Sequence, residues 1–156
     1  MTIYTITKFL HVVLAIIAVG FNASYGIWIV RSARDPEHIG FAMRTIKFLD
    51  DRFANPAYGL LLLTGLFMVF NAGYPLTTFW IAAAIVLYVI VLVLAFTVIS
   101  PNFRAQLRAL ETVGPQSPEF RIAAARGRTF GILVSIIVLA IVFLMVTKPT
   151  IGLTPQ

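Results

Sequence analysis

The sequence predicts an all-α polytopic membrane protein: a four-transmembrane-helix bundle with both termini outside the cytoplasm. Three observations carry this. Hydrophobic residues make up 60% of the 156-residue chain and charged residues only 12%, too few polar groups to cover a water-soluble globule. The apolar residues fall in blocks, since Phe9 to Val30, Phe53 to Ile99 and Thr129 to Thr147 hold no Asp, Glu, Lys or Arg. The cations collect between the blocks, as expected where short basic loops stay on the cytoplasmic side.

The first span covers about 9–30. Lys8 and the small residues Asn22-Ala23-Ser24 give it some likeness to a signal peptide, but its apolar run is too long for one, so it is read as a retained span. The same tripeptide is a formal glycosylation sequon that a span would leave inert. The uncharged stretch from Phe53 to Ile99 is too long for a single crossing, which takes about 20 residues. Asn71-Ala72-Gly73-Tyr74-Pro75 breaks it with a turn, giving spans at about 53–72 and 76–100. The fourth span covers about 129–147, and the whole chain, 1–156, reads as a single transmembrane domain.

The loop at 31–52 carries Arg31, Arg34, Arg44, Lys47 and Arg52, and the loop at 101–128 carries Arg104, Arg108, Arg121, Arg126 and Arg128. Both are placed in the cytoplasm. The formal net charge of +6 is therefore a topology and anionic-lipid signal, and no folded domain presents these cations to nucleic acid. Ile39, Met43, Ile46, Leu49 and Phe53 recur at helical spacing. Asn55-Pro56 then reads as a cap with proline at the first helical position, or as a kink. Phe103, Leu107 and Leu110 carry the third span past Pro101, Gly114-Pro115-Gln116 turns, and Ser117-Pro118-Glu119 restarts a helix.

His11, Ala15, Ala18, Asn22 and Tyr25 step by four, three, four and three. They form one small and polar stripe on the first span, the kind that faces a neighbouring helix. Gly26, Gly59, Gly65 and Ala82 to Ala84 offer further places for close approach. Tyr4, Trp28, Tyr58, Tyr74 and Trp80 lie near span ends, where aromatic belts form.

His11 is the one side chain in any span that titrates near neutral pH. On this topology His11, Met68 and Met145 each lie about three or four residues from the outer end of a span, at roughly one level. A histidine with methionines suits axial ligation of a haem or a soft Cu(I) site. A histidine one turn inside a span also serves simply to hydrogen-bond its neighbour, and methionine fills gaps in cores. His38 belongs to the inner loop, roughly 30 Å away across the membrane, which excludes a bis-histidine haem within one chain. With no cysteine, thiolate metal sites, disulfides and iron–sulfur clusters are excluded. The spans lack the carboxylates of an ion-coupled relay, and no phosphate loop, paired-histidine metal motif or nucleophile elbow occurs.

Lys8-Phe9-Leu10-His11-Val12-Val13-Leu14, then Ala18-Val19-Gly20, resembles the opening of an uncharacterised bacterial family of predicted four-helix integral membrane proteins. The likeness extends through the basic first loop, Leu61-Leu62-Leu63-Thr64-Gly65-Leu66 and the arginine-rich third loop. It implies a multi-pass protein of the bacterial cytoplasmic (inner) membrane, embedded in the lipid bilayer. Leu10-His11, Asn55-Pro56-Ala57 and Lys148-Pro149 resemble, more distantly, the HemJ-type protoporphyrinogen oxidases, which are small four-helix haem proteins. That likeness implies haem b held by His11. The family's third-span lysine has no counterpart, because Thr77 to Ile99 contains no Lys, Arg or His, so porphyrinogen oxidation is not implied with it.

Three functions follow as expectations. One is a haem b-binding redox protein with His11 as axial ligand, Met68 or Met145 as a sixth ligand, and Asn22 and Tyr25 in support. The second is a non-catalytic subunit that packs against other membrane subunits or against copies of itself. The third is an outward-facing copper-handling protein using His11, Met68 and Met145.

Overall fold

The computed structural model describes residues 2–150, and these are helices joined by short turns, with no strand among them. Four helical runs are long and apolar enough to cross a membrane: Ile3–Ser32, Pro36–Asn71, Phe79–Thr112 and Pro118–Thr147. The chain divides into two compact units, Met1–Tyr74 and Pro75–Gln156.

In the first unit, α1 (Ile3–Ser32) is started by Thr2, whose hydroxyl accepts from the Thr5 amide, so one of the orphan N–H groups of the first turn is satisfied. A short 3-10 turn (Pro36–His38) leads into α2 (Ile39–Leu49). This helix is amphipathic: Ile39, Ala42, Met43 and Ile46 are buried, and it packs on α1. The helical spacing of those residues is the period that places them on one face.

The run continues through a π-helical turn (Asp50–Ala54) into α3 (Asn55–Asn71). Pro56 explains the wide turn. Its ring crowds the carbonyl four residues back and it donates no N–H, and the helix relaxes so that the Asn55 amide reaches the Asp50 carbonyl. Asn55 therefore starts no new helix; it closes a π-turn, and its side chain donates to Asp50 Oδ2 at 3.2 Å. The rings of Phe21 and Phe53 meet at 5.6 Å and tie the C-terminal half of α1 to this turn. Gly73, at φ +69°, closes the unit in a left-handed conformation that glycine adopts without strain.

In the second unit the interrupted helix comes first in the chain. Here α4 (Phe79–Leu94) passes through its own π-turn (Ala95–Ile99) into α5 (Ser100–Thr112). Pro101 sits where Pro56 sits in the other unit, and the Ser100 amide bonds the Ala95 carbonyl. Gly114, at φ +87°, reverses the chain, and Ser117 caps α6 (Pro118–Thr147) by accepting from the Phe120 amide at 3.2 Å. Both α4 and α5 pack on α6.

Each unit thus pairs one straight 30-residue helix, α1 or α6, with a longer helix bent by a proline-linked π-turn. The spans bury few residues within a unit, and Phe9, Ile16, Leu63, Phe70, Val93, Ile136 and Phe143 are among the many large apolar side chains left exposed. In hydrocarbon this is the expected state, because lipid tails solvate such groups as well as a protein core does.

Candidate functional site

The predicted stripe on α1 is the face that packs on α3. Ala18 is fully buried at 0% exposure, and His11, Ala15, Asn22 and Tyr25 are half-buried around it. Alanines in mid-stripe let the two backbones approach, and the polar groups at either end find partners across the seam.

Toward the N-terminal end of α1, His11 Nδ1 lies 2.8 Å from Thr64 Oγ1. The Thr64 hydroxyl is 2.7 Å from the Leu60 carbonyl and 3.2 Å from that of Leu61, so its hydrogen is committed to its own helix. A hydroxyl oxygen that has given its proton away can only accept. His11 Nδ1 is therefore the protonated nitrogen and donates to Thr64. In the neutral ring this leaves Nε2 as the unprotonated nitrogen, with its lone pair in the plane of the ring. Gly65 makes room for the ring: a Cβ there would stand 3.2 Å from His11 Cε1.

Met68 is four residues beyond Thr64, in the same row of α3 and one turn nearer its C-terminal end, and is half-buried. Met145 is exposed on α6, in the second unit. His38 lies in the loop after α1, with Nδ1 2.7 Å from Asp35 Oδ2. Among the described residues, no group of three His, Cys, Asp or Glu side chains gathers as a metal-binding cluster.

Toward the C-terminal end of α1, Asn22 Nδ2 donates to the Ala18 carbonyl at 3.0 Å and to Tyr58 Oη at 2.6 Å. Tyr58 is thereby drawn into the helix seam, although its position near a span end marked it as an interfacial aromatic. The Tyr25 hydroxyl is buried with no hydrogen-bond partner among the described residues, in the electrostatic neighbourhood of Asp50 and Tyr58. Burial pushes the Asp50 carboxyl above its ordinary range, against the Asn55 hydrogen bond.

Of the glycines that sequence marked for close approach, Gly65 does that work against His11, whereas a Cβ at Gly26 or Gly59 would meet nothing within 4 Å. Thr64 is the partner that sequence reading missed. Its signal was a hydroxyl followed by glycine in the middle of an apolar span, where a helix can both accept a hydrogen bond and admit a ring.

No curated protein and no solved structure matches this chain. A family described as "Predicted integral membrane protein (DUF2269)" matches residues 5–149, which takes in the His11–Thr64 pair, the Asn22–Tyr58 pair and both π-turns. The chain belongs to that family of predicted integral membrane proteins.

Proposed function

We propose that this protein is a multi-pass protein of the bacterial cytoplasmic membrane, with both termini outside, that binds one b-type haem through His11. What carries the reading is the Thr64 contact. An axial histidine must offer one nitrogen to iron while the other N–H is held by an acceptor that fixes ring orientation and raises ligand basicity. His11 has Nδ1 held by Thr64 at 2.8 Å, with Gly65 against the ring edge and an apolar surround.

When bound, the haem would supply one-electron transfer, its potential set by the ligands and their hydrogen bonds. The chain's own part is to hold Nε2 deprotonated, to keep the ring from rotating and to shield it in hydrocarbon. Met68, one turn outward of Thr64, is the nearer of the two methionine candidates in sequence and shares a unit with His11. The resemblance to HemJ-type proteins supports a haem at His11 and, with the third-span lysine missing, gives no support to porphyrinogen chemistry.

The experiment is a haem and metal assay on the detergent-purified full-length protein. A pyridine haemochrome signal near one haem b per chain, lost in His11→Ala, supports the proposal. Copper at stoichiometric level without haem would replace it with the copper reading. Absence of both, after expression with haem precursor, would leave the non-catalytic subunit.

A further inference from the structure

The second unit carries its basic loop as a helical hairpin, and the placement of its arginines is selective. The run Phe79–Thr112 is 34 residues long, about 50 Å at 1.5 Å per residue, against a hydrocarbon core of about 30 Å. Helix α5 and the first third of α6 must therefore project from the core. They project as one body. Gln106, Ala109, Phe120 and Ala123 are buried between them, Asn102 Nδ2 donates to the Ala123 carbonyl at 2.9 Å, and a Cβ at Gly127 would stand 3.2 Å from Asn102 Nδ2.

All five arginines of the hairpin, Arg104, Arg108, Arg121, Arg126 and Arg128, are exposed, and none forms an ion pair among the described residues. Glu111 and Glu119 are the hairpin's acids. Height separates the cations into two sets. Counted from Ser100 on α5 and Thr129 on α6, Arg104 stands about 6 Å, Arg126 about 4.5 Å and Arg128 about 1.5 Å beyond the uncharged spans. Arg108 and Arg121 stand about 12 Å beyond them. The headgroup layer is about 5–7 Å deep on each side, so only the first three lie within it.

Direction separates them too. Arg104 lies on the face of α5 opposite the buried Gln106. Arg126 and Arg128 flank the packed row Phe120, Ala123 and Gly127 of α6 on opposite sides. Three cations within the headgroup layer that point three ways are placed to meet separate lipid phosphates and not one shared group.

We propose that Arg104, Arg126 and Arg128 form a collar that recruits anionic phospholipids around the second unit. Guanidinium groups suit phosphate oxygens through paired N–H donors. Arg108 and Arg121 stand clear of the headgroups and contribute little to the selection. The collar does not depend on any cofactor at His11.

The test uses the full-length protein in detergent, delipidated and titrated with phosphatidylglycerol or phosphatidylcholine, with bound lipids counted by native mass spectrometry. Wild type should prefer phosphatidylglycerol. The preference should fall about fivefold per collar arginine changed to Gln, less than twofold in Arg108→Gln/Arg121→Gln, and stay unchanged in millimolar inorganic phosphate. The single Arg104→Gln variant gives the same comparison if the triple variant does not fold. Equal binding of the two lipids, equal effects per charge from the outer pair, or competition by inorganic phosphate would each overturn the collar.

Discussion

His11 Nδ1 stands 2.8 Å from Thr64 Oγ1, and the Thr64 hydroxyl in turn is committed to the Leu60 carbonyl 2.7 Å away. This short chain from α1 to the α3 backbone fixes which nitrogen of the histidine carries the proton. A single threonine thereby holds the His11 ring in one orientation and, in the neutral form, leaves Nε2 as the unprotonated nitrogen.

Thr64→Val keeps the shape and removes the acceptor. Helix–helix hydrogen bonds in membranes average about 0.6 kcal/mol, so the fold should survive with a small loss of thermal stability. Loss of an outer-shell acceptor lowers cofactor affinity about 10- to 100-fold. It also makes the imidazole a poorer electron donor, so the midpoint potential should move positive. Thr64→Ser should restore both, as read by haem titration and potentiometry.

Gly65→Ala places a methyl group where the nearest atom is His11 Cε1 at 3.2 Å. The ring must shift by a few tenths of an ångström, which stretches the bond to Thr64. Cofactor occupancy should fall. Gly59→Ala, with nothing within 4 Å, should leave occupancy unchanged. A fall in both would mean that the effect is on α3 as a helix and not on the ring.

Asn22 and Tyr58 should be coupled. Their 2.6 Å contact predicts that Asn22→Ala and Tyr58→Phe are not additive, with a coupling energy of about 0.6–1.7 kcal/mol in a double-mutant cycle of unfolding. Full additivity would place the bond outside the energetics of the seam.

Asp50 makes stability depend on pH with a defined sign. Its carboxyl is raised in the folded state by burial, so the folded state binds its proton more tightly than the unfolded state does. Stability should therefore fall as pH rises from the ordinary carboxyl range through the raised value. Asp50→Asn should flatten that slope and stabilise the protein at neutral pH, measured by thermal unfolding in detergent from acid to neutral pH.

Much of this architecture was legible in the residues. Length, apolar blocks and confined arginines give four membrane-crossing helices. The steps of four and three from His11 to Tyr25 name the face of α1 that packs on α3, because burial follows helical period in lipid as in water. Ser117-Pro118 named the start of α6 for the same local reason that a serine caps its helix in the structure.

The partners across the seam were harder to see. Thr64, Gly65 and Tyr58 are separated from their α1 contacts by 36 residues or more, and pairing over that distance depends on the register of two helices, which spacing within one helix does not encode. The π-turns were also hidden. A cap or a kink at Asn55-Pro56 and a span that continues past Pro101 are legible, but not that each proline follows a widened turn in a continuous helix, since a proline can be absorbed by shifting one bond instead of breaking the run.

The most direct measurement is the absorption spectrum of purified wild type, oxidised and dithionite-reduced, beside His11→Ala and His38→Ala. A haem held by His11 should give a Soret band with sharpened bands on reduction in wild type and His38→Ala, and their loss in His11→Ala. A colourless wild type, or a spectrum that His11→Ala leaves intact, would contradict it.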